Sequence, residues 1–444
     1  MSLLMISADS HAGPRPEEYH RWLEKPFHEE IQDLIRHEAQ FKSRLFESAP
    51  DEATMALIDS SGVLRNGGRN GLFDPQRRMQ EMEAEGFVGQ VIFNGDPDSL
   101  GMFFNSLNRP YPANYRAAGV RGYNRWLAEF CSYSPSQMVG VAQVEPWPDM
   151  AAAVDQVREA NRSGLRAVML PRYAGIYKNQ PFFGSTDWEP FWHAAAEAGL
   201  TLCVHVGNGS AQGEWEDSIV TQQIDLKSTG IPDPTANGSM GNDGARDPLW
   251  WMIRSGVFDR HPTLRLSFTE IRSEWIAPTL DHIDSILDSI RKGSTSDQGM
   301  PVPARSAWEY WHGHCAVAGP LRPSELASRD AIGVDHIMFG SDYPHPEGSW
   351  PNSLDWLAVL LDGVPLEDAQ KIVGLNAVRF YGFDMEALTR RAAEVGPDWG
   401  ALTARAAKVN PAMIDNFQWR SGFLNRAVRY DSSQVDALSE TLPA

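Results

Sequence analysis

The sequence predicts an α/β fold: a (β/α)8 TIM barrel with insertions and a C-terminal helical extension. Three observations carry that prediction. Eight short apolar runs mostly alternate with stretches of helical spacing, the mark of βα units around a parallel sheet. Residues of catalytic type, chiefly Asp, His and Glu, stand where those runs end, and a barrel of this kind keeps its chemistry at its strand ends. Neither GxGxxG after the first run nor GxxxxGK[ST] anywhere is present, which turns the reading away from nucleotide-binding sheets. The chain has 444 residues, and a barrel of about 250 leaves room for insertions.

The first run, Leu3 to Ala8, ends in Asp9-Ser10-His11. A polar, Gly-rich insertion follows, including residues 65–71, and the helical stretch PQRRMQEMEAEG leads into the second run, Phe87 to Phe93. The third spans Met138 to Val144 and ends in Glu145-Pro146; the fourth spans Leu165 to Leu170 and ends in Pro171-Arg172. The fifth, Leu200 to Val204, ends in His205 and precedes a Gly-, Asp- and Ser-rich loop over 207–247, a length typical of lids and binding loops. The sixth, Leu264 to Phe268, ends in Thr269-Glu270. The seventh is read over Ala307 to Val317, with His312 and His314 inside it, and the eighth, His336 to Phe339, ends in Gly340-Ser341-Asp342. The barrel is expected to occupy 1–384. Residues 385–444 have helical spacing and aromatic residues, and are expected to pack on the barrel or on a partner subunit.

Hydrophobic residues at 42% and charged residues at 22% supply a large core and an ordinary soluble surface. A formal net charge of −19 argues against nucleic acid or an anionic membrane as partner. Cys131, Cys203 and Cys315 form no CxxC pair, which suits a reducing, cytoplasmic setting without disulfides. The N-terminal apolar run lacks a basic flank and reads as a strand rather than a signal peptide. No apolar stretch of about 18 residues marks a transmembrane helix.

The strand ends are rich in metal-ligand types: Asp9 and His11 from the first, His205 from the fifth, Glu270 from the sixth, Asp342 from the eighth, with His345 three residues on. Residues at i and i+2 of a strand share a face. Asp9 with His11, and His312 with His314, can therefore each face the mouth, and the ligand set takes His314 from the second pair. Read singly, each has a plainer role. Asp9 could cap a loop, His205 could be a core histidine, Glu270 could pair with Arg272 or Arg172, and Asp342 could be a turn residue. Their coincidence at one barrel end points to a metal site of Asp9, His11, His205, Glu270, His314, Asp342 and His345, with Asp342 and His345 also catalytic. Three carboxylates beside the imidazoles exceed what one tetrahedral zinc needs, and an oxygen-rich set suits Fe or Mn.

The segments Ala8 to Gly13, Val257 to Pro262, Gly340 to Pro346 and Asn376 to Phe383 resemble the amidohydrolase superfamily. The closer likeness is to its amidohydrolase-2 branch, which includes the aminocarboxymuconate-semialdehyde decarboxylase-like enzymes. The chain departs from the mononuclear zinc pattern at Asp9 and Glu270, where relatives often carry His. In that departure it resembles TIM-barrel nonheme di-iron monooxygenases. This resemblance implies two Fe ions, an external electron donor, and hydroxylation of a small, CoA-linked, terpenoid-type acid of secondary metabolism. Trp250, Trp251 and Trp311 would line the pocket, and Arg65, Arg69 and Arg172 would lie near the mouth. The alternative is a metal-dependent hydrolase or non-oxidative decarboxylase using Zn or Mn. Asp342 would then be the general base and His205 or His345 the electrophilic or proton-donating partner. A homo-oligomer is expected in either case.

Overall fold

A computed structural model describes residues 2–45, 56, 59, 62–63, 68–95, 101–104, 111–171, 181–206, 247–297, 299–345 and 348–420. Apolar runs become short parallel strands, buried throughout except at Arg265: β1 (Met5–Ser7), β2 (Phe87–Ile92), β3 (Met138–Ala142), β4 (Ala167–Met169), β5 (Thr201–His205), β6 (Arg265–Thr269), β7 (Cys315–Gly319) and β8 (Ile337–Phe339). Each pairs in parallel with the next in sequence order. The seam between first and last is tied by the Ala8 N–H, which donates to the Phe339 carbonyl at 2.9 Å, and by a parallel bridge between Ser10 and Tyr343. This is the expected (β/α)8 barrel.

Helices surround the strands. Near the N-terminus lies α1 (His28–Leu45), and before β2 comes α2 (Pro75–Ala84). Asp74 starts α2 by accepting from the Gln76 and Arg77 backbone N–H groups, with proline at the first helical position. Then come α3 (Ala113–Cys131), α4 (Met150–Arg162, capped by Asp149), α5 (Glu189–Glu197), α6 (Asp247–Arg254) and α7 (Ile276–Arg291). Further along, besides several helices of four or five residues, lie α8 (Ala307–His314), α9 (Ser353–Leu360) and α10 (Asn376–Tyr381). A long apolar cluster and a smaller one fill the space between strands and helices. A third cluster follows strand residues such as Val141, Met169, Cys203 and Ala318 and includes Phe380 and Tyr381 of α10. Thr201, which opens β5, donates through Oγ1 to the Phe380 carbonyl at 2.7 Å, so α10 closes the barrel at the strand starts.

Beyond the barrel run α11 (Met385–Val395), α12 (Trp399–Arg405) and α13 (Pro411–Arg420). They lie on the barrel's flank: Leu388 and Ala392 join the third cluster, and Trp356 of α9 meets Phe417 at 4.3 Å between ring centroids. The three cysteines are buried and free. Among the described residues no helix is long and apolar enough to cross a membrane.

One element departs from expectation. The stretch read as a strand from Ala307 is helix α8 as far as His314, and β7 begins only at Cys315. Ser306 and Glu309 form a reciprocal capping box at the start of α8. That local signal outweighs the apolar run that suggested a strand.

Candidate metal centre

Five of the seven expected ligands meet at the C-terminal ends of the strands. Asp9 and His11 follow β1, His205 ends β5, and Asp342 and His345 follow β8. Asp9, His11 and His205 form one group whose ligand atoms lie within 4.8 Å of one another; His11, Asp342 and His345 form a second. The His205 Nε2 atom is 3.3 Å from Asp9 Oδ1, and His11 Nε2 is 3.6 Å from Asp9 Oδ1 and 3.3 Å from Asp342 Oδ1. Glu270 stands at the edge, its Oε2 3.8 Å from His205 Nε2. The Asp9, His11 and Asp342 side chains are fully buried, whereas His345 and Glu270 are 14% and 22% exposed. The latter two are therefore the groups an incoming molecule meets first.

Backbone carbonyls fix the rings. His11 Nδ1 faces the Asn94 carbonyl at 2.8 Å, and His205 Nδ1 faces the Val206 carbonyl at 2.7 Å. A carbonyl only accepts, so each Nδ1 carries the proton and each Nε2 is left to bind a cation. Burial, with the neighbouring His345 ring, lowers the His11 pKa and keeps this imidazole in its neutral, ligating form. His345 Nδ1 is 2.7 Å from Asp342 Oδ1, and its Nε2 faces the Gly95 carbonyl at 3.2 Å. Both of its nitrogens thus face acceptors, the arrangement a proton donor needs. Burial pushes the Asp342 carboxyl up, but the His345 and His11 rings outweigh this and hold it well below the usual carboxylate range.

The donor set fits a cation. Asp9 Oδ2, His11 Nε2 and both Asp342 oxygens are sealed from solvent and make no hydrogen bond of good geometry. Buried charges left in that state cost several kcal/mol. Close approach without hydrogen-bond alignment is what ligation of a shared ion would satisfy. The two groups share His11, whose Nδ1 is committed to a carbonyl, and one imidazole nitrogen coordinates one ion. Together they outline one ion position. Glu270 and Asp342 both adopt left-handed backbone conformations, with φ of 59° and 56°. Such residues persist where the surroundings over-determine them, commonly at functional sites.

His314 is not brought to this mouth. It ends α8, before β7 begins, so it lies at the opposite end of the barrel. There its Nδ1 donates to the Leu264 carbonyl at 2.9 Å and its ring stacks on Phe258 at 4.3 Å. His312 lies on the same helix and packs near His336 at 5.1 Å. Trp311 is buried in α8 with its Nε1 donating to the Ile332 carbonyl at 3.0 Å, so it is a core residue rather than a pocket lining. Trp250 and Trp251 lie on α6, partly buried against the main core cluster. Arg69 lies in the short 3-10 turn Gly68–Leu72. Arg65, Arg172 and nearly all of the 207–247 loop lie outside the described residues.

Sequence reasoning missed Phe93, whose ring centroid lies 4.9 Å from that of His205 and 6.1 Å from that of His11. It ends the second apolar run, where the alternation of a strand could have pointed it inward. It also missed the three carbonyl partners, which carry no side-chain signal.

No curated protein sequence matches this chain. Solved structures share its fold. Amidohydrolase map2389c from Mycobacterium avium subsp. paratuberculosis K-10 is 19% identical with a TM-score of 0.60, covering 87% of this chain and 100% of that one. A 5-carboxyvanillate decarboxylase from Sphingomonas paucimobilis is 18% identical with a TM-score of 0.57, covering 86% and 100%. A dihydroxybenzoic acid decarboxylase from Polaromonas sp. JS666, with bound manganese and the inhibitor 2-nitroresorcinol, is 16% identical with a TM-score of 0.57, covering 86% and 97%. A family model described as Amidohydrolase matches residues 105–383, more than half of the sequence, and the chain belongs to that amidohydrolase family.

Proposed function

We propose that the protein is a divalent-metal-dependent enzyme that removes carbon dioxide, without oxidation, from a small carboxylated molecule. The observation that carries the metal assignment is the set of buried, hydrogen-bond-orphaned atoms on Asp9, His11 and Asp342 around one position. Asp9, His11, His205 and Asp342 would hold the ion, with Glu270 in reach of the same position. Manganese or zinc suits this mixture of carboxylate and imidazole, and the Polaromonas decarboxylase structure has manganese bound. A bound ion would supply positive charge that orients and polarises a substrate oxygen.

The chain's own groups supply the rest. Asp342 stays ionised, its Oδ1 2.7 Å from His345 Nδ1, and its charge favours a protonated ring there. Breaking the bond to the carboxyl group leaves an electron pair on the substrate carbon, and His345 gives that carbon its proton. Solvent then returns the proton to the ring. Phe93 supplies an apolar wall beside His205, against which a flat substrate can rest. Hydrolysis by the same groups is the neighbouring reading within the family.

The dioxygen-dependent hydroxylase, with two Fe ions, a CoA-linked substrate and an electron donor, draws no support from the structural relatives. Its second ion would also need ligands beyond the single position that the two groups share.

The test is metal analysis of protein purified without added metal, followed by anaerobic assays with Mn2+ and a panel of hydroxylated benzoic acids. About one divalent ion per chain, and carbon dioxide release that persists without oxygen, are expected. Two Fe per chain, with turnover that stops when oxygen is withdrawn, would overturn the proposal in favour of the hydroxylase.

A further inference from the structure

On the helix side of the barrel wall, next to the candidate centre, lies a buried arginine that the proposed chemistry does not use. Arg78 of α2 is fully buried. Its Nε donates to Gln90 Oε1 on β2 at 2.5 Å, and its Nη1 donates to the backbone carbonyl of His11 at 2.5 Å. The guanidinium carbon lies 4.7 Å from the centroid of the Tyr343 ring. One turn along the same helix, Glu81 accepts the Tyr343 hydroxyl at 2.5 Å. The His11 N–H in turn donates to the Tyr343 carbonyl at 2.6 Å.

Burying a guanidinium is costly, and an apolar side chain of similar volume would fill this space without that cost. What it does here is specific. Arg78 grips the backbone of His11 and the ring that follows Asp342, the two segments whose side chains face each other at 3.3 Å. Arginine suits the task because its fork makes two directed bonds while its flat face stacks on a ring. Gly71 keeps the site tight: a Cβ there would come within 2.3 Å of the Tyr343 hydroxyl and 2.8 Å of the Arg78 Cα.

We propose that Arg78 is a positioning residue of the metal centre: acting through the His11 carbonyl and the Tyr343 ring, it sets the His11–Asp342 separation, and with it the affinity and coordination geometry of the bound cation. This rests on the reading of the strand-end cluster as a metal site. Groups that orient metal ligands typically change affinity 10- to 100-fold when removed.

The decisive variant is Arg78→Lys, which keeps the charge and loses the fork. Mn2+ affinity is read by calorimetry, and coordination geometry by the visible absorption of the Co2+-loaded protein. Arg78→Lys is expected to weaken Mn2+ binding about tenfold or more and to shift the Co2+ spectrum. A comparably destabilised control, Val157→Ala in α4, lowers the melting temperature and leaves both readings unchanged. If Arg78→Lys does not fold, the decision passes to Arg78→Met, which removes the bond to the His11 carbonyl without burying an unpaired charge and should move both readings in the same direction. A folded variant whose Mn2+ affinity stays within twofold of the native protein, with an unshifted Co2+ spectrum, overturns the positioning role alone. If the native protein binds neither Mn2+ nor Co2+, the metal-site reading fails before any substitution is made, and the proposal fails with it.

Discussion

Asp342 combines two unfavourable features: a buried carboxylate, and a left-handed backbone that costs a non-glycine residue roughly 1–3 kcal/mol. Both are explained if its charge is needed where it stands. Asparagine also tolerates this backbone region, so Asp342→Asn should fold while losing most of its bound metal and at least about 100-fold in turnover. Elemental analysis of the variant decides this, and full metal content with native turnover would remove Asp342 from the site. A second buried acid makes an independent prediction. Glu85 accepts from the Ser353 N–H at 3.1 Å, and burial pushes its pKa up to about 7 from an ordinary 4.5. Between those values the folded protein binds more protons than the unfolded chain, so this group's stabilisation is full below pH 4.5 and lost as pH rises through 7. The loss is on the order of 3 kcal/mol. Glu85→Gln should flatten that slope in urea titrations between pH 4.5 and 7.5, and an unchanged slope would refute the assignment. Asp9, His11, His205, Glu270 and Asp342 were legible in the sequence because their side-chain types are conspicuous after apolar runs. Arg78 was not, because a charged residue in PQRRMQEMEA looks like any solvated helix face. The Asn94, Gly95 and Val206 carbonyls could not be read at all, since every residue has one.

At the scale of elements, strands with uninterrupted apolar runs were readable to within a residue or two, and β7 was not. Ala307 to Val317 mixes aromatic and apolar residues with Glu309, His312, Gly313 and His314, and periodicity does not separate a short buried helix from a strand. The distinguishing mark was the Ser306–Glu309 pair. Misreading it moved His314 from one end of the barrel to the other, because a helix before β7 delivers its last residue to the strand start. Ser306→Ala should cost about 1 kcal/mol in chemical denaturation, the usual value of an N-cap, with metal affinity unchanged; a coupled loss of metal would mean that α8 bears on the mouth after all. The β8–β1 seam makes the opposite prediction. A Cβ on Gly340 would lie 2.2 Å from the Asp9 Cβ and 2.9 Å from its backbone nitrogen. Gly340→Ala must therefore displace Asp9 from its place beside His205 and His11. It should impair metal binding more than a cavity-forming core substitution of equal thermal cost, which calorimetry with Mn2+ would show.

For the whole molecule, the candidate centre ties together segments separated by most of the sequence: β1, β5 and β8 each bring proposed ligands, and β6 brings Glu270 to the rim. An ion held by residues so distant binds the folded chain and not the unfolded one, so metal binding and folding are linked. At a free ion concentration of 100 times the dissociation constant, the linkage is worth about 2.7 kcal/mol. For a chain of this length the unfolding entropy converts that to a rise of about 3 °C in melting temperature. Chelation should remove the increment, and Mn2+ should restore it. In Asp342→Asn the same additions should move the transition little, because one buried negative charge no longer awaits a partner. That variant is directly comparable with the chelated native protein. In the native protein the Asp342 carboxylate remains ionised across the neutral range, so chelation leaves its charge buried beside Asp9; in the variant that charge is gone. The His345 and His11 rings favour that charge even without an ion, so the chelated variant should gain nothing over the chelated native protein, and with Mn2+ present it should melt well below it. A native melting temperature indifferent to both chelator and Mn2+ would show that these carboxylates are settled by the protein alone, and the buried cluster would then be structural.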